Sequence, residues 1–182
     1  MQAVRRMEPS VHIVVRPISP AELTSRIHAL ADLLIQVVDA GASLGFVPPL
    51  TPEASRDYWR TLRPELQTGA RVLVGAFRSD KLVGAGQLSL PQWPNARHRA
   101  ELQKLFVDDA ERGQGVGRSL VAALHATAQH SGRSLVTLNA RHGGGAERFY
   151  KALGYKEVGV VPGYMIGPGR ERLDSVTLYQ EL

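Results

Sequence analysis

The stretch that most constrains this chain is residues 105–120, Leu-Phe-Val-Asp-Asp-Ala-Glu-Arg-Gly-Gln-Gly-Val-Gly-Arg-Ser-Leu. A strand-like apolar run ends at Val107 and acidic turn residues follow. Val116, Leu120, Val121, Leu124 and Ala128 then recur at the spacing of one helical face. The order is strand, glycine-rich turn, helix. The first N–H groups of a helix have no intrahelical partner, and the macrodipole adds partial positive charge there. Glycine lacks a Cβ, so an anion can come close to successive backbone N–H groups, and Arg118 adds charge at the rim. The group this turn suits is a phosphate or pyrophosphate. A Walker A loop would need glycine at position 112 and lysine at position 118, and both are arginine. The dinucleotide fingerprint would need glycine at position 118 and fails too. What fits is R-x-x-G-x-G, carried by Arg112, Gly115 and Gly117.

Composition closes several other routes. The 182 residues suit one α/β domain with a sizeable core. With no cysteine, disulfides, thiolate metal sites and cysteine nucleophiles are all removed, and no metal ion is expected. The first residues lack the apolar core of a secretory signal, and no apolar run approaches a membrane span, so the expectation is a cytoplasmic protein with no membrane partner. The net charge of +5 is spread over scattered arginines without interleaved aromatics. That pattern argues against nucleic acid and leaves a polyphosphate ligand to account for part of the excess.

In chain order, residues 12–17 predict a first strand closed by Pro17. Ser19, Pro20 and Glu22 form a capping box for a helix running to about Ala40, with Ile27, Leu30, Leu34 and Val38 facing inward and Gly41 ending it. Residues 41–50 form a loop. Thr51 and Pro52 start a second helix, kinked near Pro64 and finished by Gly69. Residues 72–77 and 81–90 make a hairpin about Ser79-Asp80, and residues 99–107 a fourth strand. After the central helix come a fifth strand at 134–139, a short helix at 146–153, a sixth strand starting at 154–159, a Gly/Pro-rich loop at 161–172 and a last strand at 175–179. Residues 1–10 are expected to be a flexible extension and residues 11–182 a single domain.

The turn resembles the Q/R-x-x-G-x-G/A motif of the GCN5-related N-acetyltransferase (GNAT) superfamily. A second motif of that family, A-x-x-x-Y-x-x-x-G-Y/F, stands downstream as Ala146, Tyr150, Gly154 and Tyr155, and Leu105-Phe106-Val107 matches its L-x-V strand. The resemblance covers essentially residues 11–182. It implies the acyl-CoA N-acyltransferase fold of the α/β (α+β) class, a mixed, mostly antiparallel seven-stranded sheet with about four helices. It also implies acetyl-CoA as co-substrate. The pantetheine arm would pair with the backbone of Leu105 and Val107 along the strand that includes Phe106. The pyrophosphate would lie on Arg112, Gly113, Gln114, Gly115, Val116, Gly117, Arg118 and Ser119, with Asn139 a further contact. Residues 41–46, 100–105 and 161–164 are similar to the tabtoxin-resistance subgroup, which acetylates an amino-acid toxin. Two positions depart from the family: Gly143 replaces a frequent Asn, and Asp109 a frequent Pro.

Acetylating an amine at pH 7 requires removing a proton, since an amine of pKa near 10 is almost wholly charged. Glu101, on the fourth strand, is the expected base, and strict alternation would place it on one face with Gln103, Leu105 and Val107. By resemblance Tyr150 is the acid for the departing sulfur. His142 reads as a solvated loop histidine. Phe46, Trp93 and Tyr164 are expected to build the acceptor pocket. The reading is acetyl transfer to the primary amine of a small molecule, amino-acid-like or antibiotic-like. A protein N-acetyltransferase and a non-catalytic acyl-CoA sensor remain as alternatives, and a homodimer through the last strand or an exposed sheet edge is also open.

Overall fold

The computed structural model describes residues 12–182, so the expected extension at residues 1–10 lies outside the described residues. Seven strands form one sheet in the order β1-β2-β3-β4-β5-β7-β6. In chain order these are β1 (Ile13–Pro17), β2 (Arg71–Arg78), β3 (Lys81–Ser89), β4 (Arg99–Val107), β5 (Leu135–Arg141), β6 (Lys156–Ile166) and β7 (Arg172–Glu181). Every neighbouring pair is antiparallel except β4 and β5.

Helices cover both faces. On one side lie α1 (Pro20–Asp39) and α2 (Pro52–Thr61), which continues after a break at Leu62 as α3 (Arg63–Thr68). Pro64, at the second position of α3, cannot donate to a continuing ladder, so the helix breaks there as expected. Leu30, Leu34, Val38, Trp59, Phe77 and Phe106 fill this layer. On the other side α4 (Val116–His130) packs Leu120 and Leu124 against Val74, Leu88, Leu102 and Val136. The short α5 (Gly145–Ala152) sits at the end of β5.

Local chemistry explains most boundaries. Ser19 Oγ accepts the Glu22 N–H at 3.1 Å, and Thr51 Oγ1 accepts the Ala54 N–H at 3.2 Å. The capping box is only half made. Glu22 does not reach back to Ser19 but forms a fork with Arg16 at 2.7 Å for each contact, because a charge-assisted pair outcompetes a bond to one N–H. Gly69, at φ 72°, ends α3.

The C-terminal strands differ from the expected pattern. β6 runs through Pro162 and Gly163 to Ile166 instead of giving way to a long loop. A register shift between Val161 and Met165 accommodates them, and Asp174 Oδ1 accepts the Gly163 N–H at 2.8 Å. β6 is the edge strand, where proline costs no ladder bond. β7 lies between β5 and β6, so it offers no free edge for pairing two chains.

His125 of α4 shares a 2.7 Å hydrogen bond with the Tyr155 hydroxyl, which ties α4 to the start of β6. Burial holds its imidazole below the usual histidine value of 6.5. The sign follows: the unfolded chain takes the proton first, so this contribution is complete above about pH 6.5 and is lost as pH falls below it. Chemical denaturation of wild type and His125→Gln from pH 8 to 5 is expected to show the difference between them shrinking on acidification. A difference that stays constant would remove His125 from the account.

Candidate active site

Two strands part to make the site. β4 and β5 pair in parallel only at Arg99↔Leu135, Ala100↔Val136 and Glu101↔Thr137. Beyond those rungs β4 continues to Val107 and β5 to Arg141. On their outer sides both stay paired, β4 to β3 and β5 to β7. The backbone groups facing inward across the gap are therefore left for a ligand. A cleft of about 1110 Å³ occupies the gap, floored by residues 101–107 and 138–141 and walled by residues 40–47, the glycine turn, α5 and residues 164–166.

A β-bulge shapes β4. Ala85 pairs with Phe106 but Gln87 pairs with Gln103, so Lys104 and Leu105 together oppose Gly86. Lys104 takes φ 49° to make the extra residue fit. The strict alternation expected from sequence is thereby overturned. Gln103 stays on the α1–α2 side, where its side chain joins Gln87 through Arg71, and Phe106 packs into that layer. Leu105 and Val107 turn instead toward α4. Glu101 thus shares a face with Gln103 and Phe106, and not with Leu105 and Val107.

The glycine turn fits an anion. Gly113 and Gly115 have φ 75° and 83°, a left-handed backbone that L-residues adopt at a cost, and a Cβ added at either would meet nothing within 4 Å. That open space is where a ligand can approach the chain. Gly115 is the N-cap of α4 and no side chain caps the helix, so the amides of Val116, Gly117 and Arg118 have no side-chain cap. Gly117 is small for another reason: its Cβ would lie 3.3 Å from the Phe149 ring. The turn is held from behind. Arg78 bonds Glu111 at 2.8 Å and lowers its carboxyl, and Arg112 pairs with Asp109 at 2.7 Å. Burial would raise the Asp108 carboxyl, but the Ala110 N–H, Lys81 and Gln36 outweigh it and hold it below the usual range.

Most expected site residues meet here. Glu101, Leu105, Phe106, Val107, Arg112, Gly113, Gly115, Val116, Gly117, Arg118, Asn139 and Tyr150 line the cleft, as do Phe46 and Tyr164. Three do not. Gln114 turns away to Arg78 at 2.8 Å. The Ser119 N–H already closes the first helical turn on the Gly115 carbonyl at 3.0 Å. Trp93 stands on a separate depression with Pro94, Asn95, Ala96 and Arg99, because its short loop lies beyond the start of β4, away from the end that splays.

This geometry has relatives. The acetyltransferase (GNAT) domain family matches residues 46–163. The chain belongs to the GNAT acetyltransferase family. It is 30% identical over 120 residues to an uncharacterised N-acetyltransferase of Azospirillum brasilense, covering 65% of this chain and 70% of that protein. Among solved structures, a GCN5-related N-acetyltransferase from Kribbella flavida superposes with TM-score 0.74 at 22% identity, covering 96% of this chain and all of that one. YncA of Salmonella typhimurium, solved with its cofactor acetyl-CoA, gives TM-score 0.73 at 17% identity over 93% of this chain and 94% of that one. Those two likenesses speak for the fold. The chain is an acetyl-CoA-dependent N-acetyltransferase.

Within this GNAT site Tyr150 is 6% exposed, stacked edge-on to Phe149 and Tyr155. Burial, reinforced by Tyr155, pushes its hydroxyl far above the usual tyrosine value, so it stays protonated. Asn139, which lines the cleft, accepts the Thr177 hydroxyl through its Oδ1 at 2.8 Å, so its amide hydrogens are not used in that bond. His142 lies 3.3 Å from Glu147, so it has a partner the sequence did not suggest. Lys104 was also missed, and the signal was present. Leu102 and Leu105 are three apart, which strict alternation cannot place on one face. Among the described residues no helix is long and apolar enough to cross a membrane, and no group of three or more His, Asp or Glu side chains could hold a metal.

The two kinds of glycine make a test. Gly115→Ala forces a left-handed alanine, which costs about 1–2 kcal/mol, and is expected to weaken calorimetric CoA binding several-fold. Gly117→Ala asks only a small shift of Phe149 and is expected to stay near wild type. Equal effects would contradict the assignment of positive φ at Gly115 as the feature that shapes the anion site.

Proposed function

We propose that this enzyme transfers the acetyl group of acetyl-CoA to the primary amine of a small, amino-acid-like or antibiotic-like molecule, with Glu101 as base and Tyr150 as acid. The observation that carries this is the convergence on one cleft of an open, glycine-lined helix N-terminus, two unpaired strand edges, a carboxylate and a buried tyrosine. The amides of residues 113–118 would hold the pyrophosphate, and the backbone of Leu105 and Val107 the pantetheine arm. When bound, acetyl-CoA supplies the activated acetyl thioester.

The protein's own part is positioning and proton movement. Glu101 sits at the last rung before the strands part, where its carboxylate can take the proton an ammonium must lose before it attacks. Tyr150 enters the cleft from α5 with its proton retained by burial, ready to donate to the departing sulfur. A small acceptor is supported by the loop of residues 40–47, which lines the cleft together with Tyr164 and places Phe46 among its lining residues. The three stretches similar to the tabtoxin-resistance subgroup also supply lining residues: 41–46, 101–105 and Tyr164.

The test is acceptor-dependent release of CoA thiol across a panel of small amines, with Glu101→Gln and Tyr150→Phe beside wild type. Each substitution is expected to lower kcat by about 10²–10⁴-fold while leaving acetyl-CoA affinity within a few-fold. Unchanged kcat in Glu101→Gln would remove it as the base. Activity on peptides but on no small amine would favour the protein-acetylating alternative.

A further inference from the structure

The bulge in β4 does more than bend the strand. By inserting one residue it places two consecutive side chains, Gln103 and Lys104, on the same α1–α2 side of the cleft as Glu101. Lys104 is an unusual cation. It occupies a left-handed backbone position, lines the cleft, and donates to the Leu44 carbonyl of the loop that forms the cleft wall. Its ammonium lies 5.2 Å from the centre of the Phe46 ring and 5.7 Å from that of Tyr58.

Among the described residues no carboxylate forms an ion pair with it, although eleven such pairs tie other side chains together. A largely desolvated cation whose partners are one carbonyl and two ring faces is costly to keep. Burial first, then the Arg71 guanidinium, push its ammonium below the usual lysine value, while Glu101 works the other way. Space is made for it at a price in sequence freedom: a Cβ at Gly45 would come 2.6 Å from the Lys104 Nζ.

We propose that Lys104 is the acceptor-specificity residue of this cleft, and that the acceptor is an amine that also bears a carboxylate, its amine facing Glu101 and its carboxylate facing the Lys104 ammonium. This rests on the acetyl-transfer reading of the same cleft. The two side chains, three residues apart on one strand and brought to one side by the bulge, form opposite charges that complement a zwitterion. An acceptor carboxylate would neutralise a cleft-lining cation that, among the described residues, no carboxylate pairs with directly. It would also draw on an ammonium already held in place by Leu44 and the two rings, so little side-chain freedom is lost on binding.

The test uses product binding and does not depend on turnover. The CoA-loaded protein is titrated calorimetrically with N-acetyl amino acids of increasing amine-to-carboxylate spacing, each beside the N-alkylacetamide that lacks the carboxylate. Wild type is expected to bind at least one carboxylate member more tightly by about tenfold or more. Lys104→Gln keeps a donor for Leu44 but no charge, and is expected to erase that preference with CoA affinity unchanged. If no spacing is preferred, or the preference survives in Lys104→Gln, the proposal is overturned. If Lys104 merely holds the loop, Lys104→Gln will match wild type and Lys104→Met will weaken both compounds alike, which also overturns it. Failure of CoA itself to bind would instead overturn the acetyl-transfer reading, and this proposal with it.

Discussion

Three parallel rungs between β4 and β5, and then none, are the constraint on which the rest of this molecule depends. A sheet interior normally satisfies every backbone donor and acceptor, and a strand pair that stops short leaves unmade bonds that would be costly if sealed from water. The fold tolerates this opening because each strand stays paired on its other side, β4 to β3 apart from the bulge and β5 to β7. The bulge at Lys104 bends β4 just beyond the last rung, and α4 starts at the far end of the same strand. The floor of the cleft, its wall and the placing of the glycine turn at its far end are consequences of one interrupted ladder.

The same interruption sorts the chemistry along the cleft. At the far end lies the uncapped start of α4, where positive potential is fixed in the backbone and needs no side chain. At the near end lie the side chains that differ most between environments: Glu101 beside the last rung, Tyr150 sealed under Phe149 and Tyr155, and Lys104 held by the Leu44 carbonyl of the loop at 40–47. Burial acts oppositely on the last two, holding a proton on the tyrosine and loosening one on the lysine, because it disfavours whichever form is charged.

Much of this was legible in the residues. Gly115 and Gly117 with Arg112 announced the glycine turn that starts α4, and Ala146, Tyr150 and Gly154 announced the short helix beside the cleft. Helix starts at Ser19 and Thr51 were visible because caps are local. What was not legible was nonlocal. The bulge depends on how β4 meets Gly86 of β3, so Leu105 and Val107 were placed on the wrong side. The extension of β6 through Pro162 depends on its being an edge, which only the strand order reveals. Trp93 looked like a pocket aromatic, but its loop lies beyond the start of β4 while the cleft opens toward the other end of the strand. Gln114 lost its expected place to Arg78, a partner 36 residues away in sequence.

The most direct measurement is amide shift mapping by NMR while CoA is titrated into the labelled protein. The account predicts that the amides of Leu105, Val107 and residues 113–118 move together and saturate together, while those of Arg99 and Ala100, still inside the paired ladder, stay nearly fixed. Shifts concentrated elsewhere, or none at the start of α4, would contradict the claim that the interrupted β4–β5 ladder and its glycine turn are the coenzyme site.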